Sequence, residues 1–135
     1  MKELFLLGRI VFGGYFVYSG LNHFLSTAQL AQYAAAKGVP LPEIAVLATG
    51  LLMLVGGLSV MFGVVPHIGA LCIALFLVGV SPVMHNFWAV PDPAQRMAEM
   101  VNFTKNVALL GGVLMLLGVP RPWPYSAEYR RRIAV

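Results

Sequence analysis

The sequence has 135 residues, of which 59% are hydrophobic and 10% charged, and a formal net charge of +4. A soluble domain carries about 25% charged residues, so this composition excludes a water-soluble protein and predicts an integral membrane protein. The one cysteine, Cys72, excludes an intrachain disulfide and a Cys-x-x-Cys redox pair. We find no nucleotide or zinc motif. The orientation of the protein in the membrane, derived below, explains the positive charge, so no nucleic acid is predicted as a partner.

The first predicted span covers residues 4–25, enough to cross a hydrocarbon layer of about 30 Å. Arg9 lies near its start, where we expect the side chain to extend to the lipid headgroups. His23 lies near its other end. Residues 26–41 are predicted to form a loop or a short interfacial helix that Gly38 stops.

Two further spans are predicted at residues 42–62 and 66–84, joined by a tight turn and therefore antiparallel. We expect Gly56 in the second span and Gly111 in the fourth to be points of close helix contact. Pro82 removes a backbone hydrogen bond, so the helix should kink or end there. Irregular backbone at the membrane boundary then carries three polar or amphipathic residues: His85, Asn86 and Trp88.

The fourth predicted span covers residues 97–119, and a basic tail follows at 120–135. Asp92 is predicted to cap the helix start, and Trp123 to lie at the membrane interface. Four antiparallel spans place both termini on one side, where Lys and Arg are concentrated. The positive-inside rule therefore predicts that both termini are cytoplasmic. The predicted fold is one all-α domain, residues 1–135, forming an integral membrane four-helix bundle.

Polar residues from three helix ends converge at one depth, on the side opposite the termini. Asn102, Lys105 and Asn106 have i, i+3, i+4 spacing, so they share one face of the fourth span. The topology adds four residues from other segments: His23, His85, Asn86 and Trp88. A lone lysine more often extends to headgroups, and a lone histidine is more often structural. The cluster is therefore either a binding site or a structural network.

As a binding site, this cluster suits a quinone better than a metal. A quinone carbonyl accepts a hydrogen bond from His or Lys, and its ring packs against aromatic walls. Neither histidine has a cysteine or carboxylate at ligand spacing, so no metal is predicted. The first hypothesis is a quinone-linked redox subunit with a protein partner that supplies electrons. The second is a non-catalytic membrane scaffold, and small-molecule transport is weaker because four helices offer little room without oligomerisation.

Three motifs carry a resemblance to a known family: G-L-N-H-F at 20–24, H-N-F-W at 85–88 and M-V-N-F-T-K-N at 100–106. On these motifs the chain resembles the DoxX family of small four-helix bacterial membrane proteins. The resemblance implies a multi-pass protein of the bacterial inner membrane. The family takes its name from a subunit of a thiosulfate:quinone oxidoreductase, which implies a subunit of a membrane oxidoreductase. Other members are linked to oxidative-stress complexes, which implies the scaffold instead.

Overall fold

Helices are the only regular secondary structure in residues 1–133, the part of the chain that the computed structural model describes, and no strand occurs among them. The helices are α1 (Lys2–Leu25), α2 (Thr27–Ala36), α3 (Pro42–Phe62), α4 (Pro66–Met84), α5 (Pro93–Leu117) and α6 (Ala127–Ile133). Four of them, α1, α3, α4 and α5, are long and apolar enough to cross a membrane. The predicted all-α, four-helix membrane fold is therefore confirmed.

Prolines, together with one acidic cap, set where three of the four membrane helices begin. α3 and α4 start at Pro42 and Pro66, since proline at the first helical position loses no intrahelical bond. α5 starts at Pro93, four residues before the predicted span, because the Asp92 carboxylate accepts a 2.8 Å hydrogen bond from the Gln95 backbone N–H. α4 ends at Met84, two residues beyond Pro82.

Glycines let α1 and α3 approach with their backbones almost in contact. A Cβ added at Gly13 would lie 2.6 Å from the Gly57 carbonyl oxygen, and one added at Gly57 would lie 2.6 Å from the Gly13 carbonyl oxygen. Two helical turns further along, a Cβ added at Gly20 would lie 2.9 Å from the Gly50 carbonyl oxygen. Each helix therefore repeats its contact glycine every seven residues, which makes a continuous seam along the pair.

The seam continues between α3 and α4, but the predicted contact at Gly111 is wrong. A Cβ added at Gly56 would lie 2.6 Å from Ile73 Cγ1 and 2.9 Å from the Gly69 carbonyl oxygen. A Cβ at Gly111 would meet nothing within 4 Å, because this position of α5 faces outward. α5 also buries the smallest share of its apolar window, 11%, among the four spans.

The bundle has two distinct ends. We call the end with α2 and the α4–α5 connection the α2 end, and the opposite one the terminal end. The Tyr125 hydroxyl donates a 3.0 Å hydrogen bond to the Glu3 carboxylate, so residues close to both termini lie together at the terminal end. Because the spans alternate in direction, His23 and His85 lie at the α2 end, where their helices finish.

Two predictions about the terminal end are wrong: Arg9 does not extend to headgroups, and Trp123 is not an interfacial anchor. Arg9 is 2% exposed and Trp123 is fully buried. The segment after α5 folds back over the bundle, and the Arg9 guanidinium lies 5.9 Å from the Trp123 ring and 5.8 Å from the Phe5 ring. Arg9 Nη2 donates to the Tyr125 carbonyl oxygen at 3.5 Å. Aromatic faces and a carbonyl thus replace water around this cation.

Candidate functional site

A cavity of about 440 Å³ lies within the bundle toward the α2 end. All four spans line it, and α2 covers it through Leu30, Tyr33 and Ala34. Most of the wall is aliphatic or aromatic, with Phe16 and Phe76 among the aromatic residues. The polar lining comes from all four spans and α2: Ser19, His23, Tyr33, Thr49, His85, Lys105 and Asn106.

Four of the seven predicted site residues meet at this cavity. His23 comes from α1, His85 from the end of α4, and Lys105 with Asn106 from α5. These four side chains lie far apart in sequence. Their proximity follows from the alternating directions of the spans, which place the ends of α1 and α4 beside the start of α5. The other three predicted residues, Asn86, Trp88 and Asn102, do not line the cavity.

His23 has a defined tautomer. Its Nδ1 lies 2.9 Å from the Ser19 carbonyl oxygen one helical turn earlier. A carbonyl oxygen can only accept a hydrogen bond, so Nδ1 carries the proton and a neutral ring presents Nε2 as an acceptor. The His23 ring also packs edge-on against Phe76, with ring centroids 6.3 Å apart. This histidine is fixed in orientation and serves the cavity as an acceptor when neutral.

His85 is held from outside the cavity by Glu99. Its Nδ1 lies 2.7 Å from Glu99 Oε2. The second carboxylate oxygen, Oε1, accepts a 2.6 Å hydrogen bond from the Tyr33 hydroxyl and lies 3.5 Å from Lys37 Nζ. Lys37 also donates to Asn86 Oδ1 at 3.1 Å. We call these five residues the Glu99 network, and it ties α2 to the ends of α4 and α5.

Tyr33 occupies the side of the Glu99 network that belongs to α2. Burial, together with its hydrogen bond to the Glu99 carboxylate, raises the pKa of Tyr33 to about 12. Removing the phenolic proton would place two negative oxygens in contact, so the neutral phenol is favoured. Tyr33 therefore remains a hydrogen-bond donor throughout the physiological pH range.

Lys105 and Asn106 differ in how they reach the cavity. Asn106 is 7% exposed, so its amide is buried against the cavity wall. Lys105 is exposed, and its Nζ donates a 3.2 Å hydrogen bond to Asn102 Oδ1 on the same helix face. Asn102 thus positions the ammonium group, which makes it a supporting residue outside the cavity.

Trp88 belongs to an aromatic group on the outside of the bundle. It is 59% exposed, and its ring packs edge-on against Phe87 at 5.2 Å and Phe103 at 5.7 Å. An exposed indole at the end of a membrane helix is typical of an interfacial anchor. A role for Trp88 as an interfacial anchor therefore fits the structure better than a role as an aromatic wall for a ligand.

Sequence reasoning missed Glu99, Tyr33 and Lys37. Glu99 precedes Asn102 by three residues and Asn106 by seven, which extends their polar stripe by one turn. Tyr33 on α2 and Lys37, the C-cap residue of α2, have i, i+4 spacing, which is a usable signal for one polar face. Within the described residues, no group of three or more His, Cys, Asp or Glu side chains could hold a metal ion.

These features define a small polytopic membrane protein with a polar-tipped cavity among its four spans. The chain belongs to the DoxX family, whose model matches residues 4–86. It is similar to inner membrane protein YqjF of Escherichia coli (strain K12), 32% identical over 91% of this chain and 88% of that protein. It is also similar to inner membrane protein YphA of the same strain, 25% identical over 94% of this chain and 89% of that protein. No solved structure matches the chain.

The family match ends at residue 86, two residues after the end of α4. It contains His23 and His85, but Glu99, Lys105 and Asn106 lie on α5 beyond it. The cavity therefore combines a part of the chain that the family model describes with a helix that it does not. The role of the α5 residues rests on their geometry alone.

Proposed function

We propose that this protein is a quinone-binding subunit of an oxidoreductase in the bacterial inner membrane, working with a protein partner that supplies electrons. The observation that carries this proposal is the cavity, which combines several hydrogen-bonding side chains with apolar and aromatic walls. Small-molecule sites are built in this way, with a few polar groups in a cleft of roughly 300–1,000 Å³.

The cavity chemistry matches a quinone head group. A quinone presents two carbonyl acceptors at opposite edges of a flat ring. Asn106 and Lys105 offer N–H donors from α5. Nε2 of His85, the ring nitrogen that Glu99 does not contact, also donates when both ring nitrogens are protonated. Phe16 and Phe76 supply aromatic surface for the ring. When bound, the quinone would accept two electrons and two protons, while the protein binds it, orients it and supplies protons.

The cavity also reaches the surface that faces lipid. Tyr15, Leu75 and Val83 line it and are themselves 44%, 64% and 46% exposed. In a membrane these exposed faces contact acyl chains, so a ligand with an apolar tail can occupy the cavity and leave its tail in the bilayer. A lipid-soluble quinone meets that condition better than a water-soluble metabolite does.

A non-catalytic anchoring subunit is the second candidate, and the Glu99 network favours it. Glu99 has hydrogen bonds or ion pairs to three groups, on Tyr33, Lys37 and His85. A satisfied polar network can serve only to fix α2 against the bundle. In that case the cavity would be filled by lipid, and His85 would have no ligand role.

Quinone content separates these two functions. The wild-type protein, purified from bacterial membranes, is extracted and its quinone measured by mass spectrometry against an unrelated four-helix membrane protein from the same membranes. We expect an enrichment of at least about tenfold, which Lys105→Met abolishes without lowering the melting temperature. Lys2→Met, the same change at the exposed terminal end, should retain the quinone. Wild-type protein with no more quinone than the unrelated protein would contradict the proposed function.

A further inference from the structure

We propose that Glu99 is the group that carries protons between the membrane surface and the cavity, passing them to His85. This inference rests on the proposed function, because a quinone in the cavity is the acceptor of those protons. It adds a role for a carboxylate that does not itself line the cavity. The geometry that supports it consists of two separate pockets with Glu99 between them.

A second pocket of about 330 Å³ lies beside the cavity, on the surface at the α2 end. Lys37, Gln95 and Glu99 line it, and Gln95 is exposed. Tyr33 lines both pockets, so the wall between them is only about one side chain thick. Water in the surface pocket can therefore reach the Glu99 carboxyl from the side away from the ligand.

The connection through the wall is the hydrogen bond between Glu99 and His85. Glu99 lines the surface pocket, His85 lines the cavity, and 2.7 Å separates Glu99 Oε2 from His85 Nδ1. Imidazole can accept a proton at one nitrogen and release one from the other. A proton that leaves the surface pocket therefore has to pass only two side chains to enter the cavity.

The proposed step balances in protons and charge. Glu99 begins as the carboxylate and His85 as the imidazolium, with protons on Nδ1 and Nε2. As electrons from the partner reach the ligand, the Nε2 proton moves to a ligand oxygen, which leaves His85 neutral with its proton on Nδ1. Glu99 then takes a proton from water in the surface pocket. When the imidazole turns, Nε2 accepts that proton from Glu99, and the return turn restores the starting state.

The groups around Glu99 suit a carboxyl that returns to its ionised form. The Tyr33 hydroxyl on α2 and Nζ of Lys37, the C-cap residue of α2, face Oε1, and His85 faces Oε2. One cation and one neutral donor stabilise the carboxylate left after each transfer. Lys105 faces the cavity instead, so it is not a member of this proton path.

The test uses Glu99→Gln, which keeps the side-chain size and can still accept a hydrogen bond from Nδ1 but cannot carry a proton. Protein with bound quinone, reconstituted in nanodiscs, is mixed with dithionite, a water-soluble electron donor that stands in for the partner. We expect Glu99→Gln to bind quinone as wild type does but to be reduced at least about tenfold more slowly, with the pH dependence lost. Glu43→Gln, the same change in the exposed first turn of α3, should behave as wild type.

A second readout needs no ligand. In quinone-free protein, a water-soluble carbodiimide with glycinamide should modify Glu99 through the surface pocket, as it modifies the exposed Glu43.

If Glu99→Gln fails to fold, Glu99→Asp replaces it in the reduction experiment. Aspartate keeps the charge but draws the carboxylate away from His85, and should also slow reduction.

Three results would overturn the proposal. Equal reduction rates in wild type and a folded Glu99 variant, both with bound quinone, would remove the proton path and leave the proposed function intact. Unmodified Glu99 under conditions that fully modify Glu43 would remove the access from the surface. Wild-type protein that binds no quinone would overturn the proposed function and this proposal together.

Discussion

Arg9 and Glu99 show two ways of placing a charged side chain inside a membrane bundle. Glu99 has a network of polar partners, whereas Arg9 is enclosed by aromatic rings and one carbonyl oxygen. Arg9 Nε and Nη1 have no hydrogen-bond partner among the residues that the structure describes. A buried, incompletely paired guanidinium destabilises the fold, so the contact of the Trp123 ring with Arg9 is important for the stability of the protein.

At the residue scale, the raised pKa of Tyr33 predicts a loss of stability at alkaline pH. The folded pKa of about 12 lies above the ordinary value of 10.0, so Tyr33 stabilises the fold fully below about pH 10. This contribution is lost as the pH rises from about 10 to 12, because the folded and unfolded states then bind the proton equally.

Melting temperatures measured between about pH 8 and pH 12 test whether the Tyr33 contribution to stability decreases with rising pH. That range covers both the ordinary and the raised pKa of tyrosine. Tyr33→Phe should melt below wild type at pH 8, and the difference should shrink toward pH 12. Tyr18→Phe, on the exposed surface of α1, should follow wild type throughout. A Tyr33→Phe difference that stays constant or grows with pH would contradict the assignment.

Single residues were also where sequence reasoning reached its limit. Arg9 lies near the start of the first apolar run, and nothing local in the sequence indicates that the chain returns from residue 118 onward to cover it. The burial of Trp123 has the same cause. His85 was predicted as a site residue, but its hydrogen-bond partner Glu99 lies on the next helix, and their contact depends on how those helices pack.

At the element scale, the glycine seam holds α1 against α3, and a small side chain is enough to disturb it. In Gly57→Ala the new methyl group would meet the Gly13 carbonyl oxygen at 2.6 Å, so the two backbones must separate. We expect a loss of roughly 1–3 kcal/mol in the free energy of unfolding. Gly111→Ala, where an added Cβ meets nothing within 4 Å, should cost nothing and can stabilise α5.

Denaturant titration in detergent measures both glycine variants under one set of conditions. The account requires a clear difference between two substitutions that are chemically the same. Equal stability of Gly57→Ala and Gly111→Ala would mean that the α1–α3 contact is not close packed.

The elements themselves were the most predictable part of the molecule. Apolar runs of membrane-spanning length, with Pro42 and Pro66 at their starts, coincide with α3 and α4. For α2 the sequence predicts only a loop or a short interfacial helix, because an isolated ten-residue segment is a marginal helix. It is fixed by tertiary contacts instead, including those of Tyr33 and Lys37 with Glu99.

At the scale of the whole molecule, the charge distribution predicts the orientation. Lysines and arginines are concentrated at the terminal end, so we expect that end in the cytoplasm and the Glu99 network facing the periplasm. The prediction matters for function, because it decides which compartment supplies the protons that reach Glu99.

Cysteine labelling of intact spheroplasts tests this orientation in a Cys72→Ala background. Both positions, Gln95 and Tyr129, are exposed in the fold. A membrane-impermeant maleimide should modify Gln95→Cys, on the periplasmic side, and spare Tyr129→Cys, on the cytoplasmic side. After lysis both should react, which controls for reactivity. The opposite labelling pattern would reverse the orientation and make the proton supply cytoplasmic.

Photoaffinity labelling tests the central claim, that the cavity holds a quinone, most directly. Membranes containing the protein are irradiated with an azidoquinone, and the modified peptides are mapped by mass spectrometry. We predict labels on cavity-lining stretches around His23, His85 and Asn106, with competition by unmodified quinone and loss in Lys105→Met. Labels confined to outward-facing residues such as Met115 and Leu58, or labels that unmodified quinone does not displace, would contradict the account.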